Sequence, residues 1–396
     1  MKDDNARRLR ANRVYLEQDA CDLADFRALI DRTVDPTAYP FAAEVVSNTL
    51  VYDGDTVRKA SVHPETRREL MAEWAEALAD GPGVIIRSAV ADVGPIEAAN
   101  RHFWAMIEAQ RQKPSGHGDH FAKPGANDRI WNALEKLCLA DPETFAAYYG
   151  NTAIALASEA WLGPHHQITS QLNVVNPGGA AQVPHRDYHL GFQSPEAIER
   201  FPAHVHRLSP VLTLQGAVAH CDMPLETGPT LYLPFSQSYL PGYMATGRAE
   251  FRDYFEEHHV QLPLAKGDAV FFNPALFHAA GTNRSKDVRR IANLLQVSSA
   301  FGRAMETVDR LKMSLKLYPA LKGLLNDKAI TAAEADNAVA ACAEGYSFPT
   351  NLDRDPPIGG MAPKSQQDLM RQALKENWAL EVFSQEADAQ AWRKLT

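Results

Sequence analysis

The chain is poor in several features, and each shortage rules out a class of protein. Among 396 residues there are four cysteines, Cys21, Cys138, Cys221 and Cys342, scattered without a Cys-x-x-Cys spacing. That argues against a disulfide framework and a structural zinc site, and it suits a reducing compartment. No apolar run approaches the length of a membrane span, and Met1 to Arg13 is charged, with no apolar signal core. The expected location is cytoplasmic, with no membrane partner. Excess positive charge is missing too: 40 Lys and Arg face 49 Asp and Glu, a formal net charge of −9. Such a chain has no general attraction for phosphate backbones, so no nucleic-acid partner is expected. Internal repeats and low-complexity tracts are also absent. What is present is ordinary globular material, 45% hydrophobic and 22% charged, enough for one large domain with additions or for two.

Residues 1–61 read as an N-terminal extension in which Leu16, Leu23, Phe26 and Ile30 hint at a helix. Pro64 opens a helix striped by Leu70, Met71, Trp74 and Leu78 and ended by Asp80-Gly-Pro-Gly83, and Val84 to Ile86 reads as a buried strand. Ile96, Ala99, Phe103, Met106 and Ile107 recur at helical spacing, and the polar end of that helix, Gln110 to His120, runs into a loop. Asp141-Pro142 predicts a capped helix reaching about Trp161. Together these helices make an N-terminal helical layer.

From Gln167 the period changes. Gln167, Thr169, Gln171 and Asn173 are polar while Ile168, Leu172 and Val174 are apolar, so one face of a strand should meet a core and the other water or a ligand. Further strands are expected at 211–220, 230–234, 269–273 and 288–298, with a helical insertion at 242–260. Many short strands with long insertions point to an α+β protein with a jelly-roll or cupin-like double sheet. The expected divisions are 1–61, a domain over 62–303, and a mainly helical C-terminal extension over 304–396 packed on the core. Within that extension the polar, Pro-rich segment 348–360 is either an arm that closes over a cavity or docks on a neighbouring subunit, or a connector between two helices.

The chemistry concentrates in Val183-Pro-His-Arg-Asp-Tyr-His189. On a strand, residues i and i+2 share a face about 6.6 Å apart, so His185 and Asp187 can converge on one cation. A third ligand is available in His278, which ends the strand-like run Gly267-Asp-Ala-Val-Phe-Phe-Asn-Pro-Ala-Leu-Phe-His278. Two histidines and a carboxylate on one side of a metal, with the other positions open, is the arrangement of non-haem Fe(II) oxygenases. A His-x-Asp alone is a weak signal that a surface loop or ion pair explains better; the strand context, the distal histidine and a following arginine give it weight. Most such iron enzymes use 2-oxoglutarate, whose second carboxylate needs a buried cationic partner that a planar guanidinium grips with two bonds. After His278 the chain turns and returns as a strand through Arg289 and Arg290, and strand alternation does not choose between them.

The region from about Asp80 to Ser299 resembles the phytanoyl-CoA dioxygenase family of Fe(II)/2-oxoglutarate oxygenases. The resemblance rests on Gly83-Val-Ile-Ile-Arg87 after a helix, Pro184-His-Arg-Asp187, Glu226-Thr-Gly-Pro-Thr-Leu-Tyr-Leu-Pro-Phe-Ser236, Lys266-Gly-Asp-Ala-Val-Phe-Phe272, and His278-Ala-Ala-Gly281 leading into Val288-Arg289. It implies a double-stranded β-helix core, Fe(II) held by His185, Asp187 and His278, and 2-oxoglutarate and O2 as cosubstrates. By the family's offset from the distal histidine it implies Arg289 as the 2-oxoglutarate partner. The implied reaction is oxidation of a small-molecule substrate, with release of succinate and CO2. Related halogenases carry a small residue where Asp187 stands, which favours hydroxylation here.

Ala280 replaces the small hydroxyl residue that family members often carry, so a cosubstrate hydrogen bond must come from elsewhere. Gln171, Asn173 and Thr230 are the candidates, against ordinary sheet polarity. His189 shares parity with His185 and Asp187 and would point to the cavity if the strand continued, as a substrate contact or a polar neighbour. Arg303, and Arg129 with Trp131, could meet an anionic substrate, although surface ion pairing is the better reading for each. His220 reads as a satisfied core histidine; His165-His166 and His258-His259 read as solvated turn residues. Two other functions fit less of the pattern: a cupin-type metal enzyme that does not use 2-oxoglutarate, and a catalytically silent jelly-roll binding protein. The substrate is not written in the sequence, nothing marks a site for the phosphates of CoA, and a homo-oligomer is left open.

Overall fold

Strands form where β-branched and aromatic residues cluster between turn residues. In the computed structural model, which describes residues 2–112, 123, 125–348 and 350–395, they are β1 (Glu44–Val46), β2 (Thr49–Asp53), β3 (Val84–Arg87), β4 (Asn127–Ile130), β5 (Gln167–Val175), β6 (Thr213–Ala219), β7 (Leu231–Leu233), β8 (Val260–Gln261), β9 (Ala269–Phe272), β10 (Phe277–Ala279) and β11 (Arg290–Ser298). The loop reading at Gln110–His120 lies, from residue 113 onward, outside the described residues. The chain divides into two compact units. The first draws its described residues from Met1–Ala91, Asp119–Asp128 and Val174–Ala292, the second from Asp92–Gly118, Arg129–Asn173 and Asn293–Thr396.

In the first unit β1, β2, β3, β9 and β6 lie side by side, with the start of β11 next to β6. A smaller sheet has the order β10-β7-β8 and is antiparallel throughout, with His278 opposite Tyr232. The two sheets meet through Tyr232 and Phe272, whose ring centroids are 5.1 Å apart. This is the double-stranded β-helix expected of the sequence. The helix Pro64–Ala79 starts on its proline and buries Leu70, Trp74, Ala77 and Leu78, with Trp74 edge-on to Tyr52 of β2. Phe26, from the helix Leu23–Ile30, has Tyr239, Phe251 and Phe277 each at 5.2 Å between centroids. Each such fully buried ring contributes about 1.5–3 kcal/mol of transfer free energy.

In the second unit the helix Arg310–Asn326 packs against Ala133–Ala140, Pro142–Tyr149, Ala332–Cys342 and Leu380–Arg393. One expectation needs correction here and another is narrowed. The single helix predicted from Asp141 to Trp161 is two helices, because Gly150 ends the first and the Asn151 side chain accepts from the amides of Ala153 and Ile154 to start Thr152–Leu162. Of the two alternatives for the polar face of β5, water is not what its centre meets: Thr169 and Gln171 are buried while Gln167 and Asn173 are half-buried, Thr169 Oγ1 donates to the Gln296 carbonyl at 3.1 Å, and on the opposite face the hydroxyls of Ser170 and Tyr149 are 2.8 Å apart. Helical cover turns polar strand positions into internal hydrogen bonds, which strand alternation alone does not reveal.

Apart from Pro349, which lies outside the described residues, segment 348–360 is tied to the end of the last helix. Asn351 Nδ2 donates to the Leu395 carbonyl at 2.6 Å, the Arg354 guanidinium lies 4.6 Å from the Trp392 ring centroid, and buried Asp355 is 3.8 Å from Arg393.

Candidate metal centre

The segment carrying His185 and Asp187 is extended but is not a strand. A single antiparallel bridge pairs His185 with His278 of β10, each backbone N–H donating to the other's carbonyl, at 3.1 and 3.2 Å. The Asp187 N–H donates to the Pro274 carbonyl at 3.0 Å. These bonds bring the three side chains together: their ligand atoms all lie within 4.8 Å of one another. His185 Nε2 is 3.5 Å and His278 Nε2 3.4 Å from the Asp187 carboxylate oxygens.

Each imidazole is oriented from behind by its own chain. Nδ1 of His185 contacts the Val183 carbonyl and Nδ1 of His278 the Leu276 carbonyl, both at 2.8 Å. A carbonyl only accepts, so both Nδ1 atoms carry protons and both Nε2 lone pairs turn toward the carboxylate. The Asp187 side chain also accepts a hydrogen bond from Gln215 Nε2, an amide on β6 that is 5% exposed.

Burial would push the Asp187 pKa up, but His278, which as an imidazolium donates from Nε2 and adds its charge, together with the charge that His185 carries when protonated and the Gln215 amide, prevails and holds it at about 2 in the metal-free site. Burial pushes His185 below the usual imidazole range, aided by neighbouring His278 and opposed by Asp187. A carboxylate anion facing a neutral imidazole is the protonation state a divalent metal requires. Two Nε2 lone pairs aimed at an anion repel it unless a cation lies between them. The donor set therefore fits iron(II): two imidazoles and one carboxylate on one side, as in a facial triad.

The other predicted residues fall in different places. Arg289 is exposed at the foot of β11, and its carbonyl accepts from Cys221 Sγ at 3.6 Å. Arg290 is 7% exposed and turns inward, with Nη1 at 3.3 and 3.4 Å from the carbonyls of Thr227 and Gly281. Burial lowers its pKa to about 10, with Cys221 and Tyr232 opposing. Thr230 is half-buried and hydrogen-bonded to Tyr232, the residue paired with His278. Gln171 and Asn173 belong to the second unit, where Arg129 Nη1 donates to Gln171 Oε1 at 2.9 Å and the Arg129 guanidinium carbon lies 4.9 Å from the Trp131 ring centroid. Arg303 is exposed in the same unit, on a groove of about 580 Å³ that also involves Gln167, Glu306 and Arg310.

The parity argument for His189 needs correction. Tyr188 and His189 have φ of 65° and 40°, so the extended chain ends at Asp187, and a short 3-10 helix His189–Phe192 begins. His189 Nδ1 is 3.1 Å from Ser209 Oγ. His220 is buried, as read from the sequence, and burial holds its pKa at about 3. His166 is buried as well, contrary to its reading as a solvated residue, and its Nδ1 is 3.2 Å from the Gly163 carbonyl. Sequence reasoning missed Gln215 and Arg186. The available signal for the first was a lone amide inside the apolar run Thr213–Ala219.

The family model for phytanoyl-CoA dioxygenase (PhyH) matches residues 54–291, more than half of the chain. No curated protein matches. Among solved structures the chain is similar to SnoN, a non-heme alpha ketoglutarate dependent epimerase from nogalamycin biosynthesis, at 18% identity and a TM-score of 0.42, over 60% of this chain and 85% of that one. It is similar to SnoK, a non-heme alpha ketoglutarate dependent carbocyclase from the same biosynthesis, at 19% identity and a TM-score of 0.43, over 59% and 86%. It is also similar to EvdMO1, at 16% identity and a TM-score of 0.39, over 58% and 50%. With the family match covering β3 to β10 and all three residues of the triad, the chain belongs to the phytanoyl-CoA dioxygenase family.

Proposed function

We propose that the protein is an Fe(II)- and 2-oxoglutarate-dependent dioxygenase that hydroxylates a small organic molecule and releases succinate and CO2. The observation that carries this reading is the convergence of His185, Asp187 and His278 within 4.8 Å, with both imidazoles fixed in one tautomer by backbone carbonyls. When bound, iron supplies the activation of O2 that couples decarboxylation of 2-oxoglutarate to oxidation of the substrate. The protein's residues provide the setting. His185, Asp187 and His278 hold the metal, and Gln215 orients the carboxylate. Arg290 is our choice over Arg289 for the distal carboxylate of 2-oxoglutarate: it is buried, no carboxylate among the described residues pairs with it, and it neighbours Tyr232, opposite His278. Thr230, on Tyr232, is the favoured source of the hydrogen bond that Ala280 cannot give. His189 is the proposed substrate contact. A cytoplasmic location is part of this reading; it is supported by four free cysteines and by the lack, among the described residues, of a helix long and apolar enough to cross a membrane.

Anaerobic titration of the protein with Fe(II) and then 2-oxoglutarate tests the assignment. A weak visible charge-transfer band is expected from the chelate, followed by succinate formation when O2 is admitted. Iron-loaded protein that gives no band and no succinate would overturn the reading in favour of a silent binding protein.

A further inference from the structure

Arg186 stands between two metal ligands and points the other way. Side chains alternate in direction along extended backbone, so with His185 and Asp187 turned to the metal, Arg186 enters the core, where it is 3% exposed. Its Nη2 donates to the carbonyls of Ser236 and Tyr239, at 2.6 and 2.9 Å. Its guanidinium carbon lies 5.1 Å from the ring centroid of Phe277 and 5.2 Å from that of Tyr243. No carboxylate among the described residues pairs with it.

This buried side repeats the pairing of the metal side. Arg186 follows His185, and Phe277 precedes His278, while the two histidines share the backbone bridge. The contact of guanidinium with ring therefore ties from behind the two segments that present the imidazoles in front. Ser236 joins both: its carbonyl accepts from Arg186, and its hydroxyl accepts from the Phe277 N–H at 2.7 Å. Glycine makes the space. A Cβ on Gly242 would stand 2.0 Å from the guanidinium carbon, and one on Gly191 would stand 2.1 Å from the Arg186 carbonyl oxygen.

Stability does not explain a buried cation without an anion, because apolar residues of similar volume are often as good or better in such places. What a guanidinium adds is a rigid plane that bonds two carbonyls and stacks on two rings at once. We propose that Arg186 is a positioning residue of the metal centre, setting the spacing between His278 and the His185/Asp187 pair by clamping Phe277 and the Ser236–Tyr243 segment behind them. The inference rests on the reading of the triad as a metal site. Arg186 touches no reacting atom and acts through its neighbours.

Arg186→Lys keeps the charge but loses the planar fork, and Gly242→Ala keeps the arginine but intrudes on it. Each metal-free protein is titrated with Co(II), recording the dissociation constant and the visible spectrum, alongside its thermal midpoint without metal. In the variants the dissociation constant should rise about 10- to 100-fold, as when a partner of a metal ligand is lost. The Co(II) bands should shift, while the metal-free midpoint moves by no more than about 4 °C. Weakened binding in whichever variant folds supports the proposal. Wild-type affinity and spectrum in every variant that folds, or unfolding of both, overturns it, since Arg186 would then serve the fold alone. Failure of the unaltered protein to bind Co(II) is a distinct result and strikes at the triad itself.

Discussion

The two units each gather polar side chains, and they use them differently. In the second unit the groove residue Arg310 gives its donors to the carbonyls of Ile168, Ala341 and Cys342. Gln167 beside it donates to the carbonyls of Ser299 and Gly302, and Gln390 to that of Lys364. Those groups hold backbone in place. In the first unit His185 and His278 commit one nitrogen each to backbone and leave the other facing Asp187. The difference separates a structural polar cluster from a chemical one: the chemistry lies where lone pairs are left over after the fold has satisfied itself.

Mutation can break this contrast outright or refine it. The largest effect is expected at the triad, where His278→Ala should remove stoichiometric iron binding and bring succinate formation below detection, as measured by metal content and by coupled turnover. Next comes Arg290→Ala, which should cost about 2–5 kcal/mol in 2-oxoglutarate affinity, read from the anaerobic titration, because it removes a buried charged partner. Arg289→Ala should change that affinity by less than about threefold, as expected for an exposed charge; the reverse ranking would restore Arg289 as the anchor. In the second unit Arg310→Ala should lower the unfolding free energy by about 3 kcal/mol in denaturant titrations, since three carbonyls lose their donor. Turnover per folded molecule should hardly move, and a large loss of turnover would erase the distinction.

The smallest effect is on pH dependence. His220 in the first unit and His166 in the second are both held neutral by burial. Their folded pKa values lie below the unfolded value near 6.5, so their contribution is present above that pH and is lost as pH falls. For His220, held at about 3, metal-free protein should lose about 1 kcal/mol between pH 6.5 and 5.5, and His166 should contribute in the same direction. The loss from His220 should continue to about pH 3. His220→Gln should flatten the curve, and an unchanged slope in denaturant midpoints would refute the assignment.

Features that depend on local pattern were legible. A first-turn proline marked the helix at Pro64, a change of period marked β5, and His-x-Asp with a distal histidine marked the triad. Features that depend on a turn or a distant partner were not. Which arginine faces inward is set by the turn before β11, where Asn283 Nδ2 donates to the carbonyls of Val175 and Val288. Strand parity could not carry His189 past the positive φ of Tyr188. Gln215 meets Asp187 only through the approach of residues 28 apart in sequence, and Arg186 gains meaning only from the rings and carbonyls around it. The helix Leu380–Arg393 was not expected either, since it buries little beyond Phe383, Ala387 and Gln390.

The bond from each ligand histidine to the carbonyl two residues earlier has an evolutionary consequence. Val183 and Leu276 contribute only peptide oxygens, so their side chains are not under selection for that duty. Both positions can drift, one 61% exposed to solvent and the other sealed in the core, without turning either ring. A centre oriented by main chain can outlast the sequence around it, so descendants can diverge until little but the ligands themselves is left to align.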